Sequence, residues 1–403
     1  MEFPKGIQSL GNPKTHVLLL LQNIYGKRQS GRVWNIFMTN KLVNELKFQQ
    51  SKIDECVFYK GKSIILIYVD DVILVGPDDQ EIDDIVKIMA GAFKITDEGT
   101  LADYLGVKIR RDENGGLLMT QGHMIESILN DLGIDENTKK KATTPAFPSK
   151  LLTRDEDGEE FNKSWDYRSV IGKLNYLEKC TRPDLAFSVH QCARFASNPR
   201  RSHAEAVERI GHYLYNNKEQ GIMVHPDTSN ENFICWADAA FAGEWNKETA
   251  LNDPTTAKSR TGYVISYAGC PLTWASKLQT EIALSTVEAE YIALSQSLRE
   301  VICMMQMVEE AKSKQIPIRT NAQTAVHCNA FEDNTGALEL SKVPKMRPRT
   351  KHINIKYHHF REHVQKGTIT VEHVDTKNQV ADIFTKPLAA PLFLKHCKDI
   401  MGW

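Results

Sequence analysis

The 403-residue sequence predicts a multidomain chain that combines α/β and α+β parts. Three observations support this. Near the front, two β-branched runs flank a pair of aspartates, the pattern of a hairpin with an acidic tip. Residues 166–218 have a helical pattern that is punctuated by prolines. In the last third, strand and helix patterns alternate in the order of a layered α/β domain.

Taken in order, residues 63–76 hold the hairpin pattern around Asp70-Asp71. A helix is expected from Gln80 to Phe93, then strands over Gly99–Arg111 and Gly116–Thr120. Lys139–Asp157, with Pro145, Pro148 and a charge cluster, reads as a linker. The helical stretch follows, broken at Pro183 and Pro199. Strands are then expected over Phe233–Ala239, Arg260–Ala268 and Leu272–Ala275. A long helix should start at Ser285 or Thr286, whose hydroxyls can cap it, and run to about Ala311. Thr324–Phe331 reads as a strand that ends before Asp333. Ile353, Tyr357, Phe360 and Val364, spaced 4, 3 and 4 apart, predict one apolar helix face. Thr368–Val374 is the last strand, and a final helix is expected from Asn378. The domains expected are 1–143, 144–226 and 227–390, with a tail at 391–403.

Composition narrows the function classes. Hydrophobic residues at 41% and charged residues at 25% are ordinary globular values. Apolar runs fall short of the roughly 20 residues of a membrane helix, and the start lacks a signal-peptide pattern. An intracellular protein, cytoplasmic or nuclear and without a membrane partner, is expected. None of the eight cysteines falls in a C-x-x-C pair, so reduced thiols are expected rather than zinc or disulfides. The net charge of −1 gives the whole chain no basic signature, so any nucleic-acid binding must rest on a local patch. Ser341–Lys366 supplies one, with eight Lys or Arg against the single acid Glu362. Within it, Lys345, Arg347, Arg349 and Lys351 are candidate phosphate contacts, held extended by Pro344 and Pro348.

Asp238, Glu290, Asp333 and Asp382 sit where predicted elements begin or end. Any single acid among the 51 Asp and Glu is ordinarily a turn residue or a solvated helix face. Gathered together, four carboxylates would repel one another and lose solvation unless a cation neutralised them. Oxygen donors favour Mg²⁺ or Mn²⁺, and two such ions about 4 Å apart serve phosphodiester hydrolysis. The Asp70-Asp71 tip could present carboxylates to Mg²⁺ in the same way.

The sequence around these acids resembles a known family. The blocks Trp236–Gly243, Ser285–Leu294, Glu332–Ala337 and Asn378–Lys386, with Arg349–Ile355 between the last two, resemble copia-type retrotransposon ribonuclease H. Tyr68-Val69-Asp70-Asp71 resembles the metal-binding turn of a reverse transcriptase. Asn23–Trp34 resembles the nucleotide-pocket block, which would give Tyr25 and Gln29 that role, although Lys27, Arg28 and Gly31 depart from the pattern. Tyr167–Gly172 and Thr181–Asp184 resemble the connection region.

The resemblance implies part of a copia-type Pol polyprotein. It would comprise a partial reverse transcriptase palm, a mostly helical connection, and a ribonuclease H-like α/β domain with a mixed five-stranded sheet. Its expected activity is hydrolysis of the RNA strand of RNA–DNA hybrids. Asp238, Glu290, Asp333 and Asp382 would hold two Mg²⁺ or Mn²⁺ ions, with Asp70 and Asp71 as the palm's metal ligands. Glu290 rather than Glu288 matches the family's ligand, which leaves Glu288 as helix N-terminal charge. His373 reads as a strand histidine. Hybrid, RNA template and DNA are the expected partners. Upstream fingers, palm, integrase and protease segments are expected to be missing and the polymerase inactive. The alternative is a non-catalytic nucleic-acid-binding remnant of a transposable element.

Overall fold

The computed structural model describes residues 19–21, 23–24, 26–247, 253–318, 325–342 and 355–403. The chain divides into two compact units, Met1–Gly99 with Glu310–Ile318, and Thr100–Glu309 with Arg319–Trp403.

The first unit begins with helix α1 (Ser30–Asn40). A four-stranded antiparallel sheet follows, in the order β1 (Gln49–Gln50), β2 (Val57–Lys60), β3 (Ser63–Tyr68) and β4 (Asp71–Val75). Tyr68 pairs with Asp71, so Val69 and Asp70 alone make the turn of the expected hairpin. Val69 has φ +58°, a conformation that β-branched residues rarely adopt. Helix α2 (Asp79–Ala92) starts where the Asp78 side chain accepts the Gln80 N–H at 2.9 Å. Asp79 and Glu81 in its first turn suit the positive end of the helix dipole. Leu42, Phe48, Phe58, Ile65, Ile85 and Met89 form the core.

In the second unit, β5 (Asp103–Tyr104), β6 (Val107–Arg111), β7 (Leu117–Thr120) and β8 (Ile222–Val224) form an antiparallel sheet in that order. Helix α3 (Gly122–Leu132) follows β7, and α4 (Tyr167–Cys180), α5 (Ala186–Ala193) and α6 (Arg201–Asn216) make up the expected helical stretch. Residues 100–143, read from sequence with the front domain, fold into this unit. The reason is packing: β7 pairs with β8, and Ile125, Ile128 and Leu129 of α3 share one apolar cluster with α4 and α6. The expected linker carries no helix or strand, yet Arg209 holds it down by donating to the Thr144 hydroxyl at 3.0 Å.

The last third builds a mixed five-stranded sheet from β9 (Phe233–Ala240), β10 (Arg260–Tyr267), β11 (Cys270–Leu278), β12 (Cys328–Glu332) and β13 (Ile369–His373), ordered β11-β10-β9-β12-β13. The first three strands are antiparallel; β12 lies parallel to both β9 and β13. One face packs on the long helix α7 (Thr286–Ser313), and the other on α4–α6 and the C-terminal helix. With both faces covered, central strands are apolar on either side. Helix α8 (Thr335–Lys342) follows β12.

Two expectations are corrected. The single amphipathic helix through Tyr357, Phe360 and Val364 is two short pieces, a 3₁₀ turn at Ile355–His358 and α9 (Arg361–Gln365). Tyr357 and Phe360 are both buried, so the apolar spacing was real, but the chain bends between the pieces. The final helix from Asn378 is instead a pair of 3₁₀ turns, Thr376–Asn378 and Val380–Phe384. The residues read as a tail carry the last helix, α10 (Ala390–Met401), which buries Phe393, Cys397, Ile400 and Met401. Gly402, at φ +84°, ends it.

Candidate functional site

The strand period of two sets the site. Phe233, Cys235, Ala237 and Ala239 of β9 join the cluster against α7, so the alternate residues face the opposite layer. On that face Trp236 stacks on Phe331, with ring centroids 4.3 Å apart, and Asp238 comes next. Asp238 is buried against the 3₁₀ turn at Val380–Phe384, where the Thr385 hydroxyl donates to its Oδ2. Gly262 of β10 pairs with Asp238 and makes this approach possible. A Cβ there would lie 2.6 Å from Thr385 Cγ2, 2.7 Å from Phe384 Cβ and 3.1 Å from the Ala381 carbonyl oxygen. Buried Gln379 ties the turn to β9, donating through Nε2 to the Ala237 carbonyl at 2.9 Å and accepting the Ala381 N–H at 3.2 Å.

Glu290 and Asp333 arrive from different elements. At the start of α7, the Ser285 hydroxyl accepts the Glu288 N–H at 3.1 Å, and the Glu288 carboxylate accepts the Leu284 N–H at 2.7 Å. Glu288 is thus occupied in capping. Two residues on, Glu290 reaches the sheet, and its Oε2 accepts the Ala239 N–H at 2.6 Å. Phe331 pairs with Trp236 in parallel register, so two residues later Asp333 stands level with Asp238 on the neighbouring strand. Asp238, Glu290 and Asp333 each present an oxygen within 4.8 Å of the others.

Asp382 lies beside this trio. Lys386 bridges it to Asp238, with Nζ 2.6 Å from Asp382 Oδ1 and 3.5 Å from Asp238 Oδ2. Burial raises the Asp238 carboxyl above its usual range, and Asp333 adds repulsion, while Lys386 and Thr385 oppose the rise. Glu290 is raised well above its usual value by burial, then by Asp238, Glu332 and Asp333. Asp382 is pushed up to about 7 by burial and by Asp238. Lys386 is held more firmly protonated, because Asp238 and Asp382 outweigh its burial. A divalent cation would relieve both the burial penalty and the mutual repulsion, and an all-carboxylate donor set suits a hard ion. The residues present therefore fit a site for such a cation.

Glu332, Thr385, Lys386, Gln379 and Gly262 do not stand out in the sequence. Glu332 is fully buried, with Oε1 accepting the Asn334 N–H at 3.0 Å and no partner for Oε2 among the described residues. Its carboxyl is raised well above the usual range, chiefly by burial. Lys386 had the clearest signal, lying four residues after Asp382, but that spacing is common.

The remaining candidates lie elsewhere or outside the described residues. Asp70 and Asp71 are exposed at the β3–β4 tip, where Trp34 Nε1 donates to the Val69 carbonyl at 2.6 Å. Gln29 is exposed at the N-terminus of α1 and makes no capping bond. His373 ends β13, paired with Glu332 and exposed. Tyr25, Lys345, Arg347, Arg349 and Lys351 lie outside the described residues.

Residues 1–147 match the family model described as reverse transcriptase (RNA-dependent DNA polymerase). The chain is 30% identical over 404 residues, 99% of its length, to the retrovirus-related Pol polyprotein from transposon RE1 of Arabidopsis thaliana, covering 26% of that protein. It is 32% identical over 414 residues, 100% of its length, to the Pol polyprotein from transposon TNT 1-94 of Nicotiana tabacum, covering 29%. A putative transposon Ty5-1 protein of Saccharomyces cerevisiae is 27% identical over 74% of the chain and is 94% covered. The chain thus spans less than a third of the two plant polyproteins it matches.

Proposed function

Because this chain belongs to the copia-type retrotransposon Pol proteins, we propose that its last third is a ribonuclease H-like nuclease that hydrolyses the RNA strand of RNA–DNA hybrids. The observation that carries this reading is the meeting of Asp238 on β9, Asp333 just past the end of β12 and Glu290 on α7, with oxygens within 4.8 Å of one another. Asp382 is joined to them through Lys386. These four residues would hold Mg²⁺ or Mn²⁺, which when bound supplies activation of water and charge stabilisation at the leaving oxygen.

The chain's own groups prepare that site. Thr385 and Lys386 fix the Asp238 carboxylate, and the Ala239 N–H fixes Glu290, so neither needs reorientation when substrate arrives. Asp333, only partly buried, marks the open side. Lys386 offsets two of the negative charges and limits the cost of keeping the acids together without an ion. A hybrid would be recognised by backbone, groove shape and 2′-hydroxyls rather than by base sequence. The 345–351 basic run would contribute phosphate contacts. In the front unit, Asp70 and Asp71 would be the carboxylate pair of a reverse transcriptase palm, a reading supported by the family match over residues 1–147.

The test is cleavage of a 5′-labelled RNA strand, annealed to DNA, by the full chain. The reading expects products in Mg²⁺ or Mn²⁺, none in EDTA, and none in Ca²⁺, whose larger and looser coordination does not support the transfer geometry. Hybrid binding without cleavage in any ion would instead favour the non-catalytic remnant.

A further inference from the structure

The four carboxylates of the acidic site do not share one position. Asp238, Glu290 and Asp333 present oxygens within 4.8 Å of one another, and Asp382 stands outside that group. What Asp382 has instead is an ammonium: Lys386 Nζ lies 2.6 Å from Asp382 Oδ1 and 3.5 Å from Asp238 Oδ2. Asp238 therefore belongs both to the trio and to a lysine-bridged pair.

The fold puts the lysine there. Its backbone N–H donates to the Asp382 carbonyl at 3.0 Å, closing a turn that brings the two side chains together. Thr385, the preceding residue, donates its hydroxyl to Asp238 Oδ2, so the backbone entering Lys386 is held against β9. Gln379 fixes the start of the same segment on the Ala237 carbonyl. The two carboxylates are buried, with side chains 2% and 7% exposed, whereas the Lys386 side chain is 39% exposed. Its stem can carry the ammonium out to solvent, but the acids cannot follow it.

A bridging cation has little choice of place here. Mg²⁺ binds carboxylate oxygens at about 2.0–2.1 Å, and paired ions in phosphodiester chemistry stand about 3.5–4 Å apart. With one ion on the trio, Asp382 is the remaining acid that could hold another beside it, sharing Asp238. An ion between Asp382 Oδ1 and Asp238 Oδ2 would take the space that the ammonium fills. The two cations cannot stand there together, because like charges at contact distance in a buried site repel strongly.

We propose that Lys386 is a built-in substitute for the second divalent ion. The site takes one ion at Asp238, Glu290 and Asp333, and a second binds only when the lysine gives up Asp382. The proposal deepens the nuclease reading and rests on its metal site.

The test is Mn²⁺ binding by the metal-free full chain, followed by calorimetry and by electron paramagnetic resonance, in which two Mn²⁺ about 4 Å apart couple their spins and a lone ion does not. Lys386→Met keeps the stem and removes the charge. It is expected to bind one more Mn²⁺ per chain than the wild type and to show the coupled spectrum where the wild type shows isolated ions. Ions held elsewhere on the chain count equally in both proteins. A charge-assisted bond that must be displaced weakens its competitor roughly 10- to 150-fold, so the wild type should need Mn²⁺ higher by that factor to reach the coupled spectrum. Lys386→Arg keeps a cation and should return the count to that of the wild type. Adding Asp382→Asn to Lys386→Met should remove the extra ion.

A folded Lys386→Met or Lys386→Gln that binds no extra ion would overturn the proposal and leave the lysine a structural ion pair. If neither neutral variant folds, the wild type decides: a coupled pair that fills in one step overturns the proposal, and two well-separated steps support it. If the wild type binds no Mn²⁺ that Asp238→Asn abolishes, the metal site itself falls and this proposal with it. One ion at the acids in every variant removes this proposal alone.

Discussion

Gly262→Ala tests whether the fold delivers the site in the way described. The added Cβ would lie 2.6 Å from Thr385 Cγ2, 2.7 Å from Phe384 Cβ and 3.1 Å from the Ala381 carbonyl oxygen. Carbon atoms pack at about 3.5–4.0 Å, so the shortfall is about 1 Å against Thr385 Cγ2 and Phe384 Cβ, while the Ala381 carbonyl oxygen is only slightly crowded. None of these is the free end of a flexible chain, so the 380–386 segment must move off the sheet. Overpacking of this kind costs about 1–3 kcal/mol. In a unit of this size that corresponds to a fall of roughly 3–10 °C in the unfolding temperature. The same shift withdraws Thr385 and Lys386 from Asp238, and disturbing groups that orient metal ligands typically weakens affinity about 10- to 100-fold. The assay pairs thermal unfolding in EDTA with Mn²⁺ titration by calorimetry. A variant that melts with the wild type and binds Mn²⁺ equally well would show that the turn does not bear on the strand as described.

Three further outcomes follow from the structure. Arg182 and Asp184, both fully buried, make a two-pronged pair at 2.9 and 2.7 Å with Tyr213 also donating to Asp184, so Arg182→Met should cost about 3–5 kcal/mol, and adding Asp184→Leu should restore part of it in chemical denaturation. Asp238, Glu290, Glu332 and Asp382 all have raised carboxyls, so their contribution is present below about pH 4, where the unfolded carboxylates titrate, and is lost as pH rises through the folded values, about 7 for Asp382. Metal-free protein should therefore melt lower at pH 8 than at pH 5.5, and saturating Mn²⁺ should narrow the gap; equal melting with and without the ion at pH 8 would contradict the site. Glu288→Ala removes a capping bond and should cost about 0.5–2 kcal/mol while leaving Mn²⁺ affinity unchanged.

Much of this arrangement was legible in the sequence because local patterns determine it. The Ile64–Ile67 and Val72–Val75 runs around Asp70-Asp71 could only make a tight hairpin, and the Ser285 hydroxyl marked the start of α7 to within one residue. The four acids were chosen because the blocks around them resemble copia-type ribonuclease H; their places near element ends would not have separated them from the other Asp and Glu. What stayed hidden depends on tertiary contact. Gly262 reads as an ordinary strand glycine until the 380–386 turn is laid on it. Glu332 looks like a companion of Asp333, yet strand alternation buries it. The turn holding Asp382 is 3₁₀ rather than helical because Gln379 draws it onto Ala237, 142 residues away in the chain. Alternation fixes which face a residue takes, but not what comes to cover it. Hence α10, amphipathic, with Pro387 ahead of it and Pro391 in its first turn, looked like a tail.

The central claim is that Asp238, Glu290 and Asp333 form a working metal site rather than an incidental cluster. The most direct measurement is cleavage of the RNA strand of a hybrid in Mn²⁺ by the wild type and by Asp238→Asn, with Glu288→Gln as a neighbouring control. Asp238→Asn keeps the side-chain shape and removes one of the repelling charges, so the fold should persist, with melting in EDTA at or above that of the wild type. The account predicts cleavage by the wild type and by Glu288→Gln, and its loss in Asp238→Asn. Equal cleavage by wild type and a folded Asp238→Asn would contradict it.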